Sequence, residues 1–210
     1  MGTTQAFLDA DALVPTYQRD LLLALADPQA AFYEPHWSTP TLVRLRELLL
    51  ASSAMTASQF DDELSVILDR DWPSARVEAD LGELQYLLVA NNVRETLGAA
   101  IAARADQLVT AAPDNFPDNA LPLGIKALSP DEFLQRFYFS RRKGDFLQVF
   151  AKHMASYVDP PIPCAIYLRL LHAEGLAGIA YDLSVAPGGC QELDGLADEY
   201  RRRGPPPEGD

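Results

Sequence analysis

The sequence predicts an α/β domain built on a parallel sheet that is covered by helices on both faces. Three observations carry this. Short apolar runs that read as strands alternate with longer stretches of helical spacing through the first 130 residues, which is the pattern of parallel strands joined by helical crossovers. Acidic and polar residues follow directly after two of those runs, where open α/β sheets place their ligand crevices. The bulk composition, 48% hydrophobic and 22% charged over 210 residues, is that of a globular chain with a real core.

The elements follow in chain order. Ala6-Phe7-Leu8 is a buried strand that ends in the acids Asp9-Ala10-Asp11. Pro15-Thr16 opens a helix to about Ala26, with Leu21, Leu22 and Leu25 at helical spacing, and Asp27-Pro28 stops it. Ala31-Phe32-Tyr33 is a short strand or extended loop. Thr39-Pro40 is expected to cap a helix to about Leu50, on which Leu42, Leu45, Leu48 and Leu49 share one face. Thr56-Ala57-Ser58-Gln59 is a capping box that opens a helix to about Asp69, broken at Trp72-Pro73.

Asp80 to Leu88 reads as helical, and Val93 to Arg104 as an alanine-rich helix. Gln107-Leu108-Val109-Thr110 is a strand, Pro113 to Pro122 a loop, and Ile125 to Leu128 another short strand. Ser129-Pro130-Asp131-Glu132 combines a cap, a proline at the first helical position and the closing glutamate of a capping box. Residues 143 to 203 are expected as three helices, divided at Asp159-Pro160-Pro161 and at Pro187-Gly188-Gly189. The expected organisation is an α/β domain over 1–140, a helical extension over 141–203 and a disordered tail, Gly204 to Asp210.

Several function classes lose support at once. The longest apolar stretches, such as Asp20–Ala26, fall far below the ~20 residues of a membrane span, and the opening Met1-Gly2-Thr3-Thr4-Gln5 lacks a basic segment and a signal-peptide core. A cytoplasmic protein without membrane partners is expected. Cys164 and Cys190 form no CxxC pair and read as free thiols. His36, His153 and His172 lack the spacing of a zinc motif, so no zinc is expected. A net charge of −13 argues against a broad nucleic-acid grip. Arg141-Arg142-Lys143 is one of two dense basic clusters and the candidate for nucleic-acid contact, with solvated helix ends as the plainer reading; Arg201-Arg202-Arg203 is the other.

The stretch Phe7-Leu8-Asp9-Ala10-Asp11-Ala12-Leu13-Val14-Pro15, followed by Arg19-Asp20-Leu21-Leu22-Leu23, resembles the opening of bacterial PIN-domain proteins. Tyr33-Glu34-Pro35-His36-Trp37-Ser38 leading into a helix continues the likeness. So do Leu97-Gly98-Ala99-Ala100-Ile101, Ala105-Asp106-Gln107-Leu108-Val109-Thr110, Asn115-Phe116-Pro117 and Ser129-Pro130-Asp131-Glu132-Phe133-Leu134. It covers about residues 6 to 135. The resemblance implies a three-layer α/β/α fold and phosphodiester hydrolysis, in which three or four carboxylates hold Mg²⁺ or Mn²⁺ and the metal activates water. Many members are ribonucleases, including toxins paired with an antitoxin, so RNA and an antitoxin-like protein are the implied partners.

Carried over residue by residue, the pattern is depleted. The acid after the first strand is Asp9. The acid on the helix after the Trp-Ser turn falls on Arg44, the one opening the Ala-rich helix on Val93, the polar position past the Val-Thr strand on Ala112, and the acid before Phe-Pro on Asn115. A migrated catalytic set would be Asp9, Asp11, Glu47 and Asp114, with Asp9 and Asp114 as metal ligands and Arg44 and Asn115 as modulating positions. Glu95, two residues past Val93, is expected to point away. Arg44 is expected to pair with Asp9 where a metal would otherwise sit. Two readings follow: a PIN-like protein, weakly active or inactive as a nuclease, that binds protein or RNA; or a Mg/Mn-dependent ribonuclease with a rearranged carboxylate site.

Overall fold

A computed structural model describes residues 3–79, 91–116, 121 and 124–203. The helix expected over Asp80 to Leu88, part of the loop before Pro122 and the tail from Gly204 lie outside the described residues. Five strands form one parallel sheet: β1 (Thr4–Leu8), β2 (Tyr33–Ser38), β3 (Arg76–Val77), β4 (Gln107–Val109) and β5 (Lys126–Leu128), in the order β3-β2-β1-β4-β5. Strand β1 is central. Its Ala6 lies opposite Pro35 of β2 on one side and Gln107 of β4 on the other.

The pleat divides the core into two layers. Ala6 and Leu8 face one buried cluster and Phe7 the other, as period-2 alternation requires. The Phe7 side is covered by α4 (Asn91–Ala102), whose Val93, Leu97 and Ala100 pack against Phe7, Leu108 and Phe116. The other side carries α1 (Thr16–Ala26), α2 (Thr39–Ala51), α3 (Ser65–Asp71) and α5 (Pro130–Tyr138). The α/β class and the helical cover on both faces are as the sequence predicts.

Helices α6 (Lys143–Ser156), α7 (Cys164–Ala173), α8 (Ala177–Ser184) and α9 (Gly189–Arg203) stack on that second layer, α6 against α1 and α5, and α8 against α5. Aromatic side chains join them to the sheet. Phe133 meets Tyr33 edge-on at 4.9 Å and Phe137 at 5.0 Å, and Phe146 of α6 meets Phe32 at 6.1 Å. Arg142 fastens the same seam. Its guanidinium donates to the Ala30 carbonyl at 2.7 Å and the Ala31 carbonyl at 2.9 Å, and lies 4.0 Å over the Phe32 ring.

Four local expectations are corrected. Helix α2 is capped by Ser38, whose hydroxyl accepts from the Thr41 amide at 3.2 Å, so Thr39 and Pro40 are its first two residues. The second strand runs Tyr33–Ser38 instead of Ala31–Tyr33. Its Pro35 is tolerated because it shares a side with Trp37, and β3 reaches only Trp37 and Ser38, so no ladder donor is lost at Pro35. Strand β3 itself has no counterpart among the expected elements. The C-terminal region holds four helices, not three, because Gly175 at φ +98° ends α7 with amide-to-carbonyl bonds from Gly175 to His172 and from Leu176 to Leu171.

The box before α5 forms as expected: the Glu132 amide donates to the Ser129 hydroxyl at 3.2 Å, and the Glu132 carboxylate accepts from the Ser129 amide at 2.9 Å. Ser129→Ala is expected to cost about 1 kcal/mol, read from urea denaturation. Ser129→Asp keeps an acceptor at the cap and is expected to recover most of it.

Candidate functional site

Strand β1 delivers Asp9 to the C-terminal edge of the sheet, where its amide donates to the Val109 carbonyl of β4 at 2.9 Å. The chain then turns into a short 3₁₀ segment, Ala10–Leu13, capped by the Asp9 carboxylate accepting from the Ala10 amide at 2.8 Å. Thr110, the residue after β4, is buried. Its hydroxyl lies 3.2 Å from an Asp9 oxygen and 3.2 Å from both oxygens of Asp11. Asp9 thus reaches the first residue of the loop after Val109.

One hydroxyl carries one proton, so Thr110 can donate to only one of the two carboxylates at a time. The Ala111 amide, 2.9 Å from Asp11, gives that residue a second donor. Asp9 also accepts a long bond from the Thr96 hydroxyl of α4, at 3.4 Å. Burial, reinforced by the Asp11 charge, pushes the Asp9 carboxyl up to about 6, against the opposing bonds from Ala10, Thr110 and Thr96.

Asp9 and Asp11 open on a cavity of about 500 Å³ between the N-terminal ends of α2 and α4. Ser38, Thr41 and Arg44 contribute one wall; Val93, Glu95 and Thr96 contribute another, and Asn115 closes a side. Four of the six candidate catalytic and modulating residues therefore meet here: Asp9, Asp11, Arg44 and Asn115. Two do not line it. Glu47 sits on the outer face of α2, and Asp114 lies in the 3₁₀ turn Pro113–Asn115 without reaching the cavity.

The expected Asp9–Arg44 ion pair is not formed. Arg44 instead pairs with Glu47 at 3.4 Å, with 63% and 61% of the two side chains exposed. The i,i+3 neighbour on the same helix is simply closer than the strand end. Glu95, expected to point away, lines the cavity, because the first turns of α4 abut the crevice and side chains from several helical directions reach it. Sequence reasoning misses Ser38, Thr41 and Thr96 altogether. Ser38 and Thr41, whose hydroxyls bond at 2.9 Å, are legible only as helix-start residues. In the basic cluster, Arg142 is committed to its two carbonyls and to Asp145, and Lys143 lies 4.1 Å over the Tyr138 ring.

A hard divalent ion asks for several oxygen ligands around one point. Among the described residues no group of three or more His, Cys, Asp or Glu side chains is gathered to hold one. The Asp11 carboxylate accepts from the Ala111 amide and shares the Thr110 hydroxyl with Asp9, and a guanidinium stands in the wall. The donor set does not fit Mg²⁺ or Mn²⁺. Among the described residues no helix is long and apolar enough to cross a membrane.

No family model matches the chain, and no solved structure matches it. A curated protein of Mycobacterium tuberculosis (strain ATCC 25618 / H37Rv), named "Putative ribonuclease VapC50", is 40% identical over 72 residues, which cover 32% of this chain and 40% of that protein. The chain thus matches less than half the length of that relative, and the likeness extends over about a third of its own residues.

Proposed function

We propose that this chain is a PIN-like protein whose crevice binds a partner, RNA or protein, and has little or no nuclease activity. The fold and the partial likeness to the protein named "Putative ribonuclease VapC50" support the family. The observation that carries the loss of catalysis is the make-up of the cavity. Of the family's acid positions only Asp9 is an acid, while Arg44, Val93 and Asn115 occupy three others around the same space. Metal-assisted hydrolysis needs carboxylates that repel until an ion neutralises them. Here one such position contributes a positive charge and two contribute none.

A second reading, a Mg/Mn-dependent ribonuclease with a rearranged carboxylate set, gains from one observation: Glu95 lines the same cavity as Asp9 and Asp11. Titration of Mn²⁺ into wild type and Asp9→Ala, beside an RNA cleavage assay, separates the two. The expected result is Mn²⁺ binding weaker than millimolar and no cleavage that depends on Asp9. Millimolar or tighter binding lost in Asp9→Ala, with Asp9-dependent cleavage, overturns the proposal and makes Glu95→Gln the next variant.

A further inference from the structure

The two cysteines lie on different helices of the C-terminal region, yet the fold brings them to one spot. Cys164 is the first residue of α7 and is fully buried; Cys190 is the second residue of α9 and is half-buried. Both are free thiols. On α9 the core-facing residues are Leu193 and Ala197, with Tyr200 packed beside them. Cys190 precedes Leu193 by three positions, so it continues that stripe, and it packs against the same buried cluster that contains Cys164. A hydrogen bond fixes the junction. The Asp194 carboxylate, one turn after Cys190 on the same helix, accepts from the Cys164 amide at 2.8 Å. The start of α7 is thereby held against the first turns of α9, with the two thiols as neighbours.

The two thiols differ in access. Burial pushes the Cys164 thiol up, and the adjoining Cys190 thiol and the negative charge of Asp194 push it the same way. Cys190 is the one that meets solvent. The chain leading into Cys190 has room to follow its sulfur: Gly188 stands at φ +75° and Gly189 at φ +52°, angles that glycine adopts without a side-chain penalty. Cys164 is the fixed partner, since Pro163 precedes it and Asp194 holds its amide.

We propose that Cys164 and Cys190 are a redox pair that closes to a disulfide when the chain meets a small-molecule disulfide, and that closure locks α7 to α9. The proposal does not draw on the Asp9 crevice. The reaction is two successive exchanges. The Cys190 thiolate attacks one sulfur of the small disulfide, forms a mixed disulfide and expels the other half as a thiolate. Cys164 then gives its proton to solvent, its sulfur attacks the Cys190 sulfur, and the second half leaves. Two protein thiols are oxidised, one disulfide is reduced to two thiols, and the two cysteine protons are balanced by the protons those thiols take up. A disulfide bond is about 2 Å long, so the sulfurs must close up from contact, a shift for which Gly188 and Gly189 leave the start of α9 free. The bridge closes a loop over residues 164–190, which holds α7 and α8. Closing it removes chain entropy from the unfolded state, so the oxidised form is the more stable one. Such a pair stays open under reducing conditions and answers to an oxidant.

The test treats the native full chain with bis(2-hydroxyethyl) disulfide and follows it by intact mass, non-reducing peptide mapping and thermal melting. The expected product has lost two hydrogens, contains a Cys164–Cys190 cross-linked peptide and melts about 5–10 °C above the reduced chain. A thiol reductant should reverse all three changes. Cys164→Ala should stop at a mixed disulfide on Cys190. Cys190→Ser should react at least about tenfold more slowly than wild type, because the thiol it keeps is buried. Failure of the native wild type to form the cross-link overturns the proposal, whether or not a mixed disulfide appears. So does a cross-link that forms only in urea, or a cross-linked chain that melts below the reduced one. These three outcomes are read on the wild type, so they decide the matter even if a variant misfolds. A folded Cys190→Ser chain that reacts as fast as wild type overturns the assignment of Cys190 as the attacking thiol.

Discussion

Asp9→Asn is expected to stabilise the chain above about pH 6 by on the order of 2–3 kcal/mol, and to make no difference below about pH 4. The cause is the raised Asp9 carboxyl, about 6 in the folded chain against 3.8 when solvated, owed first to burial and then to the charge of Asp11. An acid whose folded value is raised contributes its stability in full below the solvated value. That contribution fades as pH climbs through the folded value, because the unfolded chain releases the proton more readily. Asparagine never ionises, so the two proteins should converge in acid and separate between about pH 4 and 6. It also retains an oxygen for the Ala10 amide, and the Thr110 hydroxyl can turn to accept from its nitrogen. At neutral pH the gain corresponds to a rise in Tm of about 5–10 °C for a chain of this size. Urea denaturation across that pH range decides it; a gap independent of pH would remove the titration of Asp9 as its source. Under the binding-module reading, millimolar Mn²⁺ leaves the gap open.

Phe146→Ala is expected to cost about 3–5 kcal/mol and to lower the unfolding of the whole chain in one transition. Phe146 is fully buried and packs edge-on against Phe32 at 6.1 Å and Tyr138 at 5.9 Å. Those partners precede β2 and end α5, so the lost ring removes contacts on both sides of the seam between the sheet and the C-terminal helices. Phe146, Phe150 and Leu171 belong to the same buried cluster as Leu8 of β1 and Trp37 of β2, which is why one transition is expected. Residues 141–203 melting separately, with the near-UV signal of Trp37 and Trp72 unchanged, would show instead that the helical extension folds on its own.

Much of this architecture is legible before any coordinates. Strands β1 and β4 show as apolar runs, and α1, α4 and α5 announce themselves through helical spacing and, for α5, a complete capping box. What is not legible depends on neighbours distant in sequence. Tyr33-Glu34-Pro35-His36 has no strand signature, and its extended form follows from lying between β1 and β3. The same contrast holds at the crevice. Asp9 and Thr110 can be paired in advance because each follows a strand of one parallel sheet. The contribution of Glu95, Thr96, Ser38 and Thr41 depends on the angle at which α2 and α4 approach, which spacing along a helix does not encode. Arg44 falls on the expected wall, but its partner is set by the exposed helix surface.

The central place of β1 has a consequence for how the chain comes to be folded. This strand is synthesised before the other four, yet one of its two neighbours is β4; Asp9 and Thr110, which seal that junction, stand 101 residues apart. With no hairpin anywhere in the described sheet, every strand pairing must wait for a crossover to close. The growing chain can therefore pair β1 with β2 early but must keep the other edge of β1 open until synthesis has passed Thr110. Refolding should accordingly be slow for a chain this rich in helix, and the intermediate in which β1 and β2 are paired and β4 has not docked should be the species that aggregates.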